Sequence, residues 1–379
     1  MSDQRVLGAG EFQSGEFHAP GKADPFLWII PLVLTAFGIM MIFSLTSQTS
    51  LEEFGTPFAI GFRQVQWFLF GMGGMIIAYM LPPRFWQRFS GVLWLFTLLL
   101  LWLTLIPGIG IEAGGARRWL GYGALRFQPL ELLSLVVAVH LSKVLVLSEK
   151  TGLKAFFSVT GIVLTLSVVP LLLQPNMGGT ILIFALAMAI HVHNRGWGWP
   201  LLFGGTGFAV FFFYILKAGY RLRRYLAFVD PWSQPMDSGF QVIQGLVAFS
   251  NGGLFGTGIG KGLQKLNFLP AAHTDYIFAT IGEEFGFIGT FGVILLFILW
   301  TIRVCGTCRA MTDPFLSSMV WGISVSILLP LFINLGGVLK LMPLTGIPLP
   351  FISYGGSSLL LMWIKIGILL RASREVTAG

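Results

Sequence analysis

Asp275 stands where a polar, glycine-rich segment meets an apolar run, in FLPAAHTDYIFATIGEEFG (Phe268–Gly286). An acid at a membrane boundary is costly unless it is paired, solvated or used, which makes Asp275 a candidate functional group. His273 lies two residues earlier, and a His-x-Asp pair at a helix start has the spacing to orient or tune a general base. Capping of the following helix by Thr274 and Asp275 is the competing use of the same residues. Glu283 and Glu284 follow about two turns deeper, where adjacent acids require polar partners inside a bundle. They suit a structural role as well as a catalytic one.

Upstream lies GGLFGTGIGKG (Gly252–Gly262). It fails as a nucleotide-binding phosphate loop, because Lys261 is followed by Gly262 rather than Ser or Thr and Phe255 occupies the place of the first glycine. Its amides have two remaining uses, an anion-binding nest or plain tight turns. Cations gather nearby: Arg117, Arg118 and Arg126 in one polar segment, and Arg221, Arg223, Arg224, Lys261 and Lys265 in another. A basic surface beside lipid suits an anionic lipid-linked ligand such as a pyrophosphate, with generic attraction to anionic headgroups as the alternative. Nucleic acid is not an expected partner. His191 and His193 have no acid or cysteine near them to complete a metal site, and Cys305 and Cys308 have no second pair. No Ser-His-Asp order, HExxH or nucleophile elbow occurs, which disfavours hydrolytic and metalloprotease chemistry.

These residues need apolar elements to hold them. The chain is 55% hydrophobic and 11% charged, with a net charge of +8 and a mean hydropathy of +0.80. Soluble domains are about 25% charged. Runs such as SGVLWLFTLLLLWLTLIP do not alternate, so the expected fold is an all-α polytopic membrane protein rather than a β-barrel. Spans are predicted near 27–48, 64–82, 89–107, 128–147, 157–173, 177–193, 199–217, 277–301, 314–337 and 356–371, about ten in all. Residues 1–26 read as a disordered cytoplasmic tail without the pattern of a signal peptide, 27–371 as the membrane domain, and 372–379 as a second cytoplasmic tail.

An even count puts both termini on one face. With that face inside, the short inner connections hold Arg84 and Arg88, Lys150 and Lys154, Arg195, Arg303 and Arg309, and Arg371 and Arg374. The segment 218–276, between the seventh and eighth spans, is then a large outer loop, and its prolines and glycines imply turns and re-entrant backbone rather than one helix.

Several stretches together resemble one family. They are GARRWL (Gly115–Leu120) with FQPLE (Phe127–Glu131), QPNMGGT (Gln174–Thr180), YRLRRYLAFVDPW (Tyr220–Trp232), Phe268–Gly286 and PLTGIPLPFISYGGSS (Pro343–Ser358). In this order they resemble the SEDS proteins of shape, elongation, division and sporulation (FtsW, RodA and SpoVE). GLFGTGIGKGLQK lacks the GKG…GTQ pattern of the RodA branch and is more similar to the FtsW and SpoVE branch.

The resemblance implies a ten-span peptidoglycan glycosyltransferase that polymerises lipid II outside the membrane with a class B penicillin-binding transpeptidase and other division or elongation proteins. It implies that Asp275 is the acid needed for polymerisation, and it carries Arg118, Trp119, Glu131, Arg221 and Arg224 into the substrate cavity. Inverting glycosyl transfer follows, with Asp275 as base and Arg221, Arg224 and Lys265 as counter-charges to the departing pyrophosphate. Trp119 has the chemistry either to stack on sugar or to anchor the span. A divalent cation, Mg or Mn, would suit such a leaving group, although Asp275, Asp230 and Asp237 are scattered and define no site for it. Other classes are a lipid II flippase, which needs polar residues at the midplane, and a scaffold that has lost catalysis.

Four positions depart from the family pattern. Leu130 replaces a usual Ser, Ser134 a usual Lys, Asn176 a usual Asp and Ala271 a usual Glu. Breaking a buried ion pair costs about 3–5 kcal/mol, whereas losing both partners together costs far less. Ser134 and Asn176 are therefore expected to be neighbours neutralised together, with Glu131 either protonated or paired with Arg118.

Overall fold

The computed structural model describes residues 21–376 except 114, 123–124, 149–151, 203, 206, 208–224, 238 and 265–268. Its helices are α1 (Phe26–Phe54), α2 (Ala59–Met80), α3 (Pro83–Leu103), α4 (Pro129–Leu147), α5 (Gly152–Leu173, with a π-helical stretch at Phe156–Gly161), α6 (Met177–Arg195), α7 (Phe240–Gly252), α8 (Ile277–Arg309), α9 (Pro314–Val338) and α10 (Gly356–Ser373). Eight of them, all but α2 and α7, are long and apolar enough to cross a membrane. The predicted second span is the 22-residue α2, whose first two turns carry Arg63, Gln64 and Gln66. The predicted seventh, 199–217, lies mostly outside the described residues.

Why α2 is held in the bundle follows from its small residues. Gly71 faces Trp363, and a Cβ on Gly367 would stand 2.3 Å from the Met75 carbonyl oxygen. Small residues let helix backbones approach where lipid provides no hydrophobic drive between helices. The α2–α10 seam is the most extensive contact between any two described elements. α4, α9 and α10 form the enclosed centre of the bundle.

Both described ends of the chain meet on one face. The Gly21 amide donates to the Arg374 carbonyl oxygen (2.9 Å), and the Asp24 carboxylate pairs with Arg303 (2.8 Å). Residues 21–25, expected to belong to the disordered tail, are thus tied to α8 and α10. Residues 1–20 and 377–379 lie outside the described residues.

The opposite face carries the polar segments. Between α3 and α4, where only a loop is predicted, a three-stranded antiparallel sheet forms: β1 (Ile111–Ala113), β2 (Ala116–Tyr122) and β3 (Leu125–Phe127), in the order β1-β2-β3. Within the predicted long loop, α7 packs on α8 through Gly252, whose α-carbon has room for no side chain: a Cβ would fall 1.8 Å from the Gly282 carbonyl oxygen. The glycine-rich turns after α7 serve this packing. α8 is broken at Gly286 (φ 66°, ψ −160°), and the Phe287 and Ile288 amides freed there donate to the Gly253 and Leu254 carbonyls (2.9 and 3.2 Å). The loop thereby caps the second half of the helix.

Candidate functional site

Asp275 lies on the turn that leads into α8 and is half-buried. Ala271 adopts φ 56°, and its carbonyl oxygen accepts from the Thr274 and Tyr276 amides (3.1 and 3.2 Å). Three neighbours then lock the turn. Asn334 of α9 donates through Nδ2 to both the Asp275 and the Ile347 carbonyl oxygens, each at 2.9 Å. The Ser353 hydroxyl donates to the Thr274 carbonyl (2.6 Å) while accepting from the Leu349 amide (2.9 Å). The Tyr354 amide donates to the His273 carbonyl (2.9 Å). Gln64 of α2 closes the frame, donating to the Ser353 carbonyl and accepting from the Gly355 amide, both at 3.2 Å. Gly346 (φ 77°) lies beneath the carboxylate, where a Cβ would stand 3.5 Å from Asp275 Oδ2.

His273 does not play the part expected of it. Its ring meets Tyr354 edge-on, with centroids 5.7 Å apart, and Glu53 is the charge that acts on it. Burial holds its imidazole below the usual histidine range, with Glu53 opposing in part. Capping fails as well: Tyr276 is the N-cap of α8 without a side-chain bond, and the Thr274 hydroxyl turns back to the Ala271 carbonyl (3.2 Å).

Arg63 is a site residue that motif reading passed over. Its guanidinium lies 4.3 Å from the centroid of the Phe54 ring and acts on the Tyr354 phenol. Burial raises the Tyr354 phenol above its ordinary value, and Arg63 and Arg126 draw it partway back. The available signal was an arginine immediately before the predicted span 64–82. Arg126, on β3, is exposed beside it.

The first turn of α4 forms the second half of the site. Glu131 is buried there, beside Ser358 of α10. Arg118, on β2, donates to the Pro175 carbonyl oxygen (2.6 Å) rather than to Glu131, so the expected Glu131–Arg118 pair does not form. Trp119 is half-buried on the same strand opposite Ile111. Gln174 donates to Thr104 Oγ1 (2.7 Å), and Asn176 caps α6 by accepting from the Gly179 amide (3.0 Å).

Ser134 and Asn176 have different hydrogen-bond partners. The Ser134 hydroxyl donates to the Glu131 carbonyl oxygen (2.8 Å) and accepts from the ammonium of Lys365 (2.9 Å). Position 134 has lost its own charge, but a lysine from α10 supplies one at the same place.

Glu283 anchors the glycine-rich loop. Its carboxylate accepts from the Leu263 amide (3.1 Å), the Gln264 amide (3.2 Å) and the Asn251 side chain (3.2 Å). The polar partners expected for this buried acid are therefore two backbone amides and the Asn251 side chain, which fits a structural role. Asp230 caps the turn Pro231–Ser233. Among the described residues no three His, Cys, Asp or Glu side chains come together as metal ligands. His191 bonds Thr160 (2.8 Å), His193 stacks on Trp321, and Cys308 meets Ser317. Arg221, Arg224 and Lys265 lie outside the described residues.

This arrangement has counterparts in known proteins. The family described as cell cycle protein, comprising FtsW, RodA and SpoVE, matches residues 24–378. A protein of Geobacter sulfurreducens named probable peptidoglycan glycosyltransferase FtsW is 35% identical over 362 residues, covering 94% of this chain and 96% of that protein. Stage V sporulation protein E of Bacillus subtilis is 36% identical over 355 residues, covering 93% of this chain and 97% of its own. Among solved structures, a chain from a peptidoglycan synthase complex, described as coordinating polymerization and crosslinking, superposes with a TM-score of 0.78 at 26% identity, covering 94% of this chain and 99% of that one. The rod shape determining protein RodA of Thermus thermophilus gives 0.70 at 25% identity, covering 94% and 98%.

Proposed function

This chain belongs to the FtsW, RodA and SpoVE family of cell cycle proteins, and on that premise we propose that it is a peptidoglycan glycosyltransferase that polymerises lipid II at the outer face of the cytoplasmic membrane, with Asp275 as general base. An acceptor sugar hydroxyl attacks the anomeric carbon of the lipid-linked donor and inverts it. The bond from that carbon to the diphosphate oxygen breaks as the glycosidic bond forms, the hydroxyl proton passes to Asp275, and the lipid diphosphate leaves with the electron pair. General-base assistance of this kind contributes about 10²–10⁴-fold.

The observation that carries the reading is a half-buried aspartate on a backbone locked by Asn334, Ser353 and Tyr354. Such fixing is what proton transfer requires, since catalytic groups work only within narrow limits of distance and angle. Arg63, Arg118 and Arg126 lie on the same side of the bundle, and Arg221, Arg224 and Lys265 are the further candidates to balance the diphosphate. Arg303, Arg371 and Arg374 lie near the termini, which supports placing that face inside and the site outside. A class B penicillin-binding transpeptidase is the proposed partner. The similarity to a chain of a complex that coordinates polymerization with crosslinking supports it.

The test supplies labelled lipid II to the purified protein, alone and with its cognate transpeptidase, and follows glycan chain length. Wild type is expected to extend chains and Asp275→Asn to lose at least about 10²-fold in kcat. Growth that persists at the full rate in Asp275→Asn removes the proposed base. Absence of growth together with lipid II translocation in vesicles replaces the reading with a flippase.

A further inference from the structure

Lys365 is the only lysine or arginine in the described chain that is fully buried, with 0% of its surface exposed. An ammonium inside an apolar bundle needs a built receptor, and three helices supply one. On α9, Pro330 has no amide hydrogen, which leaves the carbonyl of Ser326, four residues earlier, without its helical donor. Lys365 donates to that oxygen at 3.4 Å and to Ser134 Oγ on α4 at 2.9 Å. The Ser134 hydroxyl passes its own hydrogen to the Glu131 carbonyl oxygen (2.8 Å).

The opposite charge is on the same turn. Ser358, which precedes Lys365 by two helical turns on α10, lies beside Glu131. Among the described residues, Lys365 is the charged side chain that acts on Glu131, and Glu131 the one that acts on Lys365. The ammonium and the carboxylate do not touch as an ion pair: Ser134 ties Lys365 to the main-chain carbonyl of Glu131, and the two charges attract through space. Two isolated charges in a weakly screening interior attract strongly, and removal of either strands the other.

Resting on the transferase reading above, we propose that Lys365 is a positioning residue for glycosyl transfer, acting as the counter-charge that fixes Glu131 and with it the first turn of α4. That turn follows directly from β3 and so sets the hairpin that bears Arg118 and Trp119. It is also tied to the start of α10 by the Gln128 amide on Ser357 (3.3 Å), with Ser358 beside Glu131. α10 begins immediately after Tyr354 and Gly355, which hold the Asp275 turn in register. The buried pair thus sets the spacing between the hairpin half and the carboxylate half of the site.

Because Ser134 Oγ touches the ammonium, a lysine at 134 would bring its charge to the same receptor from α4. The experiment compares wild type, Lys365→Met and the double variant S134K/K365M. It reads kcat and KM for extension of labelled lipid II. It also takes infrared difference spectra of each protein against its own Glu131→Gln derivative, which show whether Glu131 is an ionised carboxylate.

Lys365→Met is expected to lower kcat by about 10- to 100-fold with little change in KM, and to replace the carboxylate band with that of a protonated acid. S134K/K365M is expected to restore both. Full kcat in Lys365→Met with an unchanged carboxylate band overturns the inference. Should Lys365→Met fail to fold, the double variant decides: wild-type rate and band support the pair, and a folded but inactive protein with protonated Glu131 overturns it. A wild type that extends no glycan, with the carboxylate band still lost in Lys365→Met, defeats the transferase reading and leaves the charge pair standing.

Discussion

Asn334→Leu tests whether the backbone beneath Asp275 matters for chemistry. The amide nitrogen of Asn334 is the shared donor to two carbonyls, those of Asp275 and Ile347, at 2.9 Å each. Leucine fills a similar volume and donates nothing, so two acceptors lose their partner. Each buried group left unsatisfied costs about 1–3 kcal/mol. One offset applies: Asn334 Oδ1 is itself buried without a hydrogen-bond partner, and its desolvation cost disappears with the substitution. The net destabilisation is about 1–3 kcal/mol, readable as a lowered unfolding midpoint in detergent.

The activity effect has a distinct signature. Asn334 contacts main chain only at this turn, so substrate affinity should hold while the reacting geometry slackens. A misplacement near 1 Å costs about 10²-fold. Steady-state extension of labelled lipid II should therefore show kcat falling by about that factor with KM almost unchanged. The pH–rate profile should keep its shape, because the carboxylate is still present. Asn334→Asp should do worse, since a carboxylate facing two carbonyl oxygens repels both. If Asn334→Leu loses the expected stability yet keeps full kcat, the position of the Asp275 turn does not limit the reaction, and the locked backbone ceases to support Asp275 as base.

Other expectations follow from single contacts. Gly252→Ala drives a Cβ to within 1.8 Å of the Gly282 carbonyl oxygen, both atoms on rigid backbone, and should separate α7 from α8 with a loss of about 3 kcal/mol or more, measured by thermal unfolding. Glu283→Gln exchanges an acceptor of three hydrogen bonds for a group that turns an NH₂ toward amide donors; limited trypsin digestion should then cut faster at the exposed Lys261. For His273, burial lowers the folded-state pKa below the ordinary 6.5, so as pH falls through that value the unfolded chain binds a proton that the folded protein resists. Stability should therefore decline from neutral toward acid pH, and His273→Gln should reduce the slope; an identical slope in both proteins would refute the assignment.

What the sequence displayed and what it concealed differ by the kind of physics involved. Long apolar runs are set by bilayer thickness, and eight of the predicted spans have matching apolar helices within a residue or two to about eight at their ends. Asp275 was legible because a lone acid at a boundary is costly in any context. The sheet at 111–127 was hidden, since its strands are three to seven residues long and carry no sustained alternation. α7 was hidden for the opposite reason: the glycines that suggest turns after Gly252 do make turns, while the helix before them leaves only a short amphipathic pattern. The role of His273 could not be read at all. Its proximity to Asp275 in sequence says nothing about Tyr354, which lies 81 positions farther along the chain and takes the ring.

Ser134 shows why charge in a bundle has to be counted by place rather than by position. Read along the chain, a usual lysine had become serine beside a buried acid, and simultaneous neutralisation was the economical expectation. An ammonium, however, is defined for its partners by where its nitrogen sits, and α4 and α10 both reach the point between Glu131 and Ser326. Along α10 the lysine looks out of place in GSSLLLMWIKIGILLRAS, a single cation within an apolar run. Along α4 the serine looks like a loss. Each oddity explains the other once the helices are adjacent, and the proline that exposes the Ser326 carbonyl belongs to a third helix again. Substitutions judged one position at a time would count two defects here, whereas the low-dielectric interior experiences one ammonium at Ser134.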